Sequence, residues 1–499
     1  MKHILLIGIL PILYLLSTGS YAQPNKHSDT DTLAIGLQDA ILMALERNPT
    51  VAIQRLDPEV ESTQTRELSA VFDPRLSLSA TNNKTKVQRF LGSRPDPFEM
   101  TSERIDYSAS ISQALPTGTI LSADAVMSGS ISSIYSDQYI GTIGITITQS
   151  LLQGFGIGYN LALLRQAKID VEISQLELKA IAEQMTADVE QAYWDLFLAK
   201  QEMIIQQQSL ELAEQQLSES KERVAVGRLP ELELAAVHAE VATRHESMID
   251  AFSRYEQARL HLLYLLNPSG QQAWETIPVT MDRPFIPVDT LDTIDMHEQL
   301  AMKYRADLQQ AQLNLEKGQL EVTRTRNGLL PQLDLFITME RTTYARSFNQ
   351  SVPDVNSPFY NVSAGVTFEF PVPNRQKRAQ HARSKYSHEQ LELSLTNMKR
   401  LVQWDVRAAY SEVLRSRQQI EATRVAQDLQ EQKLLAEQEK FRVGKSTNFL
   451  VLQAQRDFVA SQLNEAQSKV AYLNALVNLY QMEGTLLERR GIESFMNEH

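Results

Sequence analysis

Two hydrophobic periods divide the chain. In one set of stretches, apolar and polar residues alternate. Ile105, Tyr107, Ala109 and Ile111 stand against Asp106, Ser108, Ser110 and Ser112. Leu121, Ala123, Ala125 and Met127 alternate in the same way, as do Ile143, Ile145 and Ile147, and a weaker run starts at Leu76, Leu78 and Ala80. Later in the chain come Leu333, Leu335, Ile337 and Met339, then Tyr360, Val362, Ala364, Val366, Phe368 and Phe370. A period of two with one apolar and one polar face predicts strands, here six.

The other set repeats at three and four residues. From Leu161 to about Ala225 there is no proline, and Leu210, Ala213, Leu217, Ser220 and Val224 recur at helical spacing. Val406, Val413, Ile420, Leu434 and Phe441 share one seven-residue register, with Gln427 its polar member. Heptads sustained this far predict coiled-coil packing. A helix over 161–225 is about 98 Å long and one over 376–441 is similar. The returning helices 231–266 and 447–485 are only about 54–58 Å long, and helices at 37–68 and 296–326 add about 46–48 Å each. Two shorter helices stacked end to end therefore match each long one. Pro49 and Pro58 predict bends in the helix 37–68.

The long helices occur as two copies of one hairpin. The first breaks at Val226-Gly227-Arg228 and the second at Val443-Gly444-Lys445, with Gly227 and Gly444 217 positions apart. The same offset aligns Val189 with Val406, Tyr193 with Tyr410, Glu222 with Glu439 and Tyr255 with Tyr472, which marks an internal repeat.

Each strand run has about the length that crosses a bilayer when tilted. Pro116-Thr117-Gly118-Thr119 is a tight turn, whereas the links at 84–102, 128–138 and 342–357 are long and rich in Ser, Asn, Asp and Pro. Short turns at one end and long loops at the other are the pattern of an outer-membrane barrel. A soluble β-sandwich allows the same alternation. Four to six strands are too few to close a membrane-spanning barrel, so the strands of such a barrel come from several chains.

Targeting and charge agree with export. Lys2 and His3 precede an apolar run from Ile4 to Leu16, and Ser20-Tyr21-Ala22 places small residues for cleavage after Ala22. The apolar run is too short to span a membrane as a helix. The 499 residues contain no cysteine, which removes disulfides and thiol chemistry. A formal charge of -13 argues against nucleic acid as a partner.

The order of these features resembles the TolC-like outer membrane efflux protein (outer membrane factor) family. Carrying it are the signal segment, the two-fold repeat, the strand pair followed by a long helix, Thr148-Gln149-Ser150-Leu151-Leu152-Gln153-Gly154-Phe155-Gly156 at the strand exit, and the two Val-Gly breaks. The resemblance covers nearly all of the chain after the signal segment. It implies a homotrimer whose β-barrel in the outer membrane continues into a helical tunnel across the periplasm. It also implies docking to a periplasmic adaptor and an inner-membrane transporter. Two departures stand out. The family has four strands per protomer against six here, so either the barrel is larger or one pair lies outside the wall. The family's gating aspartates just past the second tip are replaced by Leu450 and Gln453.

The resulting fold class is α+β: long antiparallel helical hairpins plus a transmembrane β-barrel built from several chains, with a two-fold repeat. The expected divisions are a signal peptide at 1–22, a first repeat at 23–266 (strands within 74–150), an equatorial linker at 267–295, and a second repeat at 296–488 (strands within 331–371). The tip residues Val226, Gly227, Arg228, Val443, Gly444 and Lys445 are candidate adaptor-docking positions. Glycine there also serves simply to end a helix. Glu231, Glu233, Gln453 and Asp457 are candidates for a periplasmic gate, by loose transfer from the family. Gly154-Phe155-Gly156-Ile157-Gly158 lacks the dinucleotide-binding spacing and a following βαβ unit, and reads as a strand-to-helix swivel. The pairs His238/His245 and His381/His388 are seven apart, too far for a helical chelate. No catalytic motif, metal site or cofactor site emerges. The function these readings imply is an exit channel for efflux or type I secretion. The alternative is a structural periplasmic coiled-coil protein with a soluble β-domain.

Overall fold

The computed structural model describes residues 32–90, 96–134, 136–227, 230–268, 273–286 and 291–492. The signal segment 1–22 lies outside the described residues. Strand β1 (Thr32–Ile35) leads into helices α1 (Leu37–Arg47) and α2 (Pro49–Ser69). The expected bend falls between them. Asn48 is extended, its side chain accepts from the Thr50 N–H at 2.9 Å, and Pro49 takes the first helical position, where no N–H is needed. Pro58, in contrast, stays inside α2. Packing of α2 along a longer helix holds the turn that a proline would otherwise open.

Four strands follow: β2 (Arg75–Arg89), β3 (Phe98–Ala114), β4 (Thr119–Ser132) and β5 (Gln138–Ser150). The chain then forms α3 (Ile157–Asn160), α4 (Ala162–Ala225) and α5 (Leu232–Leu266). Beyond β6 (Ile277–Thr280) come α6 (Ile294–Tyr304), α7 (Ala306–Asn327), β7 (Gln332–Ala345) and β8 (Phe359–Glu369). Helices α8 (Arg375–Arg442), α9 (Asn448–Glu483) and α10 (Leu486–Arg489) complete the described elements.

Helix α4 runs unbroken for 64 residues and α8 for 68. Each is backed by shorter helices in sequence along its length. Near its start α4 meets α7, where Lys317 reaches Asp170 at 2.6 Å; further along it meets α9, where Gln467 reaches Glu202 at 2.9 Å. Helix α8 meets α7 through Thr325 and Ser384, then α9 through Thr423 and Ser468. The heptad positions Val406, Val413, Ile420 and Leu434 are all buried.

The single helix expected over 296–326 is broken at Arg305, whose backbone is extended and whose guanidinium spans Asp307 and Asp405. The break lets the end of α9 approach: a Cβ on Gly484 would lie 2.9 Å from the Tyr304 and Arg305 backbone. The expected linker 267–295 contains β6, which pairs in parallel with β1. That small sheet caps a core of Ile41, Leu45, Tyr193, Leu196, Leu262 and Leu266 at the middle of α4. Tyr193 fixes the corner, donating to the Ile35 carbonyl and accepting from the Asp282 N–H. Trp194 is buried beside it, whereas Trp404 stands exposed on α8.

All six expected strands form one antiparallel sheet in the order β2-β3-β4-β5-β7-β8. Both strands of the first pair, β2 and β3, belong to this sheet. The strands extend into the links expected at 84–102, 128–138 and 342–357, leaving shorter connections at 90–97, 133–137 and 346–358. From Asn82 to Lys86 both faces of β2 are polar, so the alternation that marks a strand disappears while its ladder continues.

The two faces differ in chemistry. One cross-strand row reads Leu76, Ile111, Ala123, Ile145, Met339 and Val362, each directly opposite the next. The row behind it on the other face reads Ser77, Ser110, Asp124, Gly144, Glu340 and Asn361. Much of the apolar face is open, with Leu76 70% exposed and Met339 60%, while toward one end Phe348 packs on Tyr107 and Tyr139 of that face. Among the described residues no helix is long and apolar enough to cross a membrane.

Candidate functional site

The far end of the helical part carries the hairpin tips. Helix α4 stops because Gly227 takes φ +73, letting its N–H reach the Val224 carbonyl at 2.9 Å. Helix α8 stops at Gly444 with φ +74, and the Lys445 N–H then closes on the Lys440 carbonyl at 2.8 Å. Both are left-handed helix endings that glycine adopts without steric cost. A Cβ at either glycine would meet nothing within 4 Å, so both tips are open. Arg228 lies outside the described residues. Around the glycines, Val226, Leu232, Val443 and Phe449 are exposed apolar side chains. Lys440 and Ser446 donate to Glu437 and hold its carboxyl below the usual range.

The two tips of one chain are neighbours. The Arg223 guanidinium sits 5.0 Å from the Phe441 ring centre, and Gln216 donates to Asn448 at 2.6 Å. Between them lies a groove of about 280 Å³ lined by Leu212, Glu219, Arg223, Gln438, Phe441 and Val451. Its lining is mostly amide and charged groups, with Leu212, Phe441 and Val451 the apolar members.

The four gate candidates are shared between the two hairpins. Glu231 and Glu233 are exposed at the start of α5, and Gln453 is exposed on α9. Asp457 is tied within its own hairpin to Lys433 at 2.7 Å. The chain also holds a charged cluster that no local pattern in the sequence marks. Glu240 on α5 is buried and pairs with Arg244 at 2.7 Å, and Arg456 of α9 approaches its other oxygen at 4.0 Å. Glu240 holds the same position relative to its tip glycine as Asp457 does in the second hairpin. The repeat offset was the signal that could have found it.

At the other end of α4 the glycine run makes the strand-to-helix turn. Gly154 and Gly156 take φ +86 and +93, and the Asn160 side chain donates to both of their carbonyls. Of the histidines, His381 meets Thr325 at the α7–α8 contact, while His238 and His245 are exposed. A further set of buried charges lies midway. Glu190 pairs with Arg490 at 2.5 Å, and burial pushes its carboxyl up despite that partner. Glu483, fully buried, contacts His297 Nδ1 and accepts from Thr485 and Arg489. Burial raises Glu483, and those hydrogen bonds outweigh it and hold the carboxyl below its ordinary value.

A family model described as outer membrane efflux protein matches residues 40–267 and 298–485. The chain belongs to the outer membrane efflux protein family. Family membership and neighbours alike describe channels, not enzymes. Among curated proteins the chain is similar to the proteases secretion protein PrtF of Dickeya chrysanthemi, at 20% identity over 302 residues, 60% of this chain. The match spans 64% of that protein's length, under two thirds of it. The fold is similar to the CmeC outer membrane channel of Campylobacter jejuni, with TM-score 0.66 and 15% identity over 95% of this chain and 94% of that one. It is similar also to the open-state MtrE channel of Neisseria gonorrhoeae, with TM-score 0.64 and 16% identity over 93% and 94% of the two chains. The outer membrane efflux protein fold accounts for the paired features described above, a two-faced sheet at one end and glycine-ended hairpins at the other.

Proposed function

We propose that three copies of this chain form a continuous exit duct, with the sheets closing a barrel in the outer membrane and the helices a tunnel through the periplasm. The observation that carries this is the sheet itself. Six strands segregate apolar from polar rows across their whole width, yet β2 and β8 are left as open edges. A lipid-facing sheet cannot keep open edges, because unpaired N–H and C=O groups in hydrocarbon cost several kcal/mol each. Copies of the chain are the natural source of the missing strands.

In this reading residues 23–266 and 296–488 are the two structural repeats, joined by 267–295. The tips around Gly227 and Gly444 receive a periplasmic adaptor, which couples the duct to an inner-membrane transporter. Glu231, Glu233, Gln453 and Asp457, now joined by Glu240 and Arg456, narrow the tunnel end. No cofactor and no chemistry are required, since energy comes from the inner-membrane partner. The name of the PrtF relative favours type I secretion of protein cargo over small-molecule efflux.

The test is fractionation and detergent-solubilised mass. Outer-membrane residence with a heat-modifiable particle near three chains is expected. A soluble periplasmic monomer or dimer would refute the channel and leave a structural coiled-coil protein with a β-domain.

A further inference from the structure

We infer that the hairpin β2–β3 is a wall element that widens the pore, so that the closed barrel has eighteen strands. This rests on the trimeric reading above.

Three observations place the hairpin in the wall. Its ladder to β4 is continuous over thirteen residue pairs, from Ser102↔Ser132 to Ala114↔Ile120. Its apolar residues Leu76, Leu78, Ala109 and Ile111 continue the rows of Ala123, Ala125, Ile143 and Ile145 without a change of face. Leu76 and Leu78 are 70% and 71% exposed, which water would penalise and lipid favours. The even strand number also matters. With six alternating strands, β8 of one copy runs antiparallel to β2 of the next, so the ladder direction carries across the boundary.

The consequence is size. At about 4.8 Å between strands and a tilt of about 40°, eighteen strands enclose a backbone diameter of about 36 Å, against about 24 Å for twelve. The face of this hairpin opposite the apolar one carries Ser77, Ser79, Ser108, Ser110 and Ser112, short side chains that keep the lumen open, with Ser79 and Ser108 bonded at 2.7 Å. Allowing about 5 Å for side chains on each side leaves about 25 Å, roughly twice the 10–12 Å width of an α-helix with its side chains. The same allowance leaves about 14 Å in a twelve-strand barrel, room for one such helix rather than two side by side.

The chain has no cysteine, so disulfide trapping needs no background removal. One cysteine on β8 (Asn361→Cys, Ser363→Cys or Thr367→Cys) is combined with one on β2 (Ser77→Cys, Ser79→Cys or Thr81→Cys), and outer-membrane vesicles are oxidised. At least one β8–β2 combination is expected to give covalent dimers and trimers. The ring seen by electron microscopy is expected to be about 1.5-fold wider than a twelve-strand barrel. Cross-linking of β8 to β4 instead (Ser122→Cys or Ser128→Cys), with a narrow ring, would overturn the inference and leave the hairpin outside the wall. A three-chain mass with no β8–β2 product from any combination would overturn it as well. A one-chain mass would instead remove the trimeric reading on which it rests.

Discussion

Glu183 offers a sharp test of the helical packing. It lies on α4 beside the α6–α7 break at Arg305 and Asp307, 6% exposed, with one carboxylate oxygen lacking any hydrogen-bond partner. Lys179, one turn away, comes no nearer than 3.8 Å. Burial is the main cause that raises its pKa to about 7; Lys179 opposes this and Asp307 adds to it. The native state therefore binds a proton more tightly than the unfolded chain. Full stability is present below the unfolded value near 4.5, and it is lost as pH rises through 7. A shift of about 2.5 units at 1.36 kcal/mol per unit is about 3 kcal/mol per chain. Glu183→Gln keeps the shape and removes the charge. The variant is expected to exceed wild type by about 3 kcal/mol at pH 8 and by only about 1 kcal/mol at pH 5. For a chain this long that is about 3 °C in thermal midpoint at pH 8. The assay is thermal unfolding of the detergent-solubilised protein at both pH values. A variant less stable at pH 8, or a difference independent of pH, would refute the reasoning.

Three further expectations follow from single sites. Gly444→Ala strains a residue at φ +74 and costs about 1 kcal/mol locally, with adaptor binding retained, whereas Gly444→Glu adds a charge at the open tip and abolishes pull-down of the adaptor; equal binding by both would sink the docking role. Glu483→Ala leaves His297 and Arg489 without their buried partner and costs about 3–5 kcal/mol in unfolding free energy. Because Glu483 is held low, its contribution in wild type is present above about pH 4.5 and is lost as pH falls further, and the alanine variant should lose that acid dependence. Gly141→Val cannot keep the connection 346–358 in place, since even a Cβ there would lie 1.9 Å from the Ser351 carbonyl; trypsin cleavage after Arg346 in intact cells should rise, and an unchanged rate would show the connection is not seated there.

The parts of this protein that obey a local period were legible in the chain alone. Heptad positions from Val406 to Phe441 repeat over about thirty-five residues, and the strand rows around Ile111 and Ile145 alternate over enough residues to name both element and face. The helix-ending glycines at 227 and 444 were legible because a left-handed turn is a one-residue requirement. What escaped depends on residues far apart in sequence. The parallel pair β1–β6 is four residues long, too short for any period, and exists because Tyr193 and Asp282 draw the two segments onto α4. The break at Arg305 carries no proline or glycine; it is set by Asp405 on another helix and by the approach of Gly484. Glu183, Glu190, Glu240 and Glu483 look like any solvated helix glutamate, since burial is decided by which neighbour covers that face. That the first strand pair joins the same sheet as the others was likewise a matter of pairing. Alternation names a strand and its two faces, but only the hydrogen-bonded partner decides which sheet the strand joins.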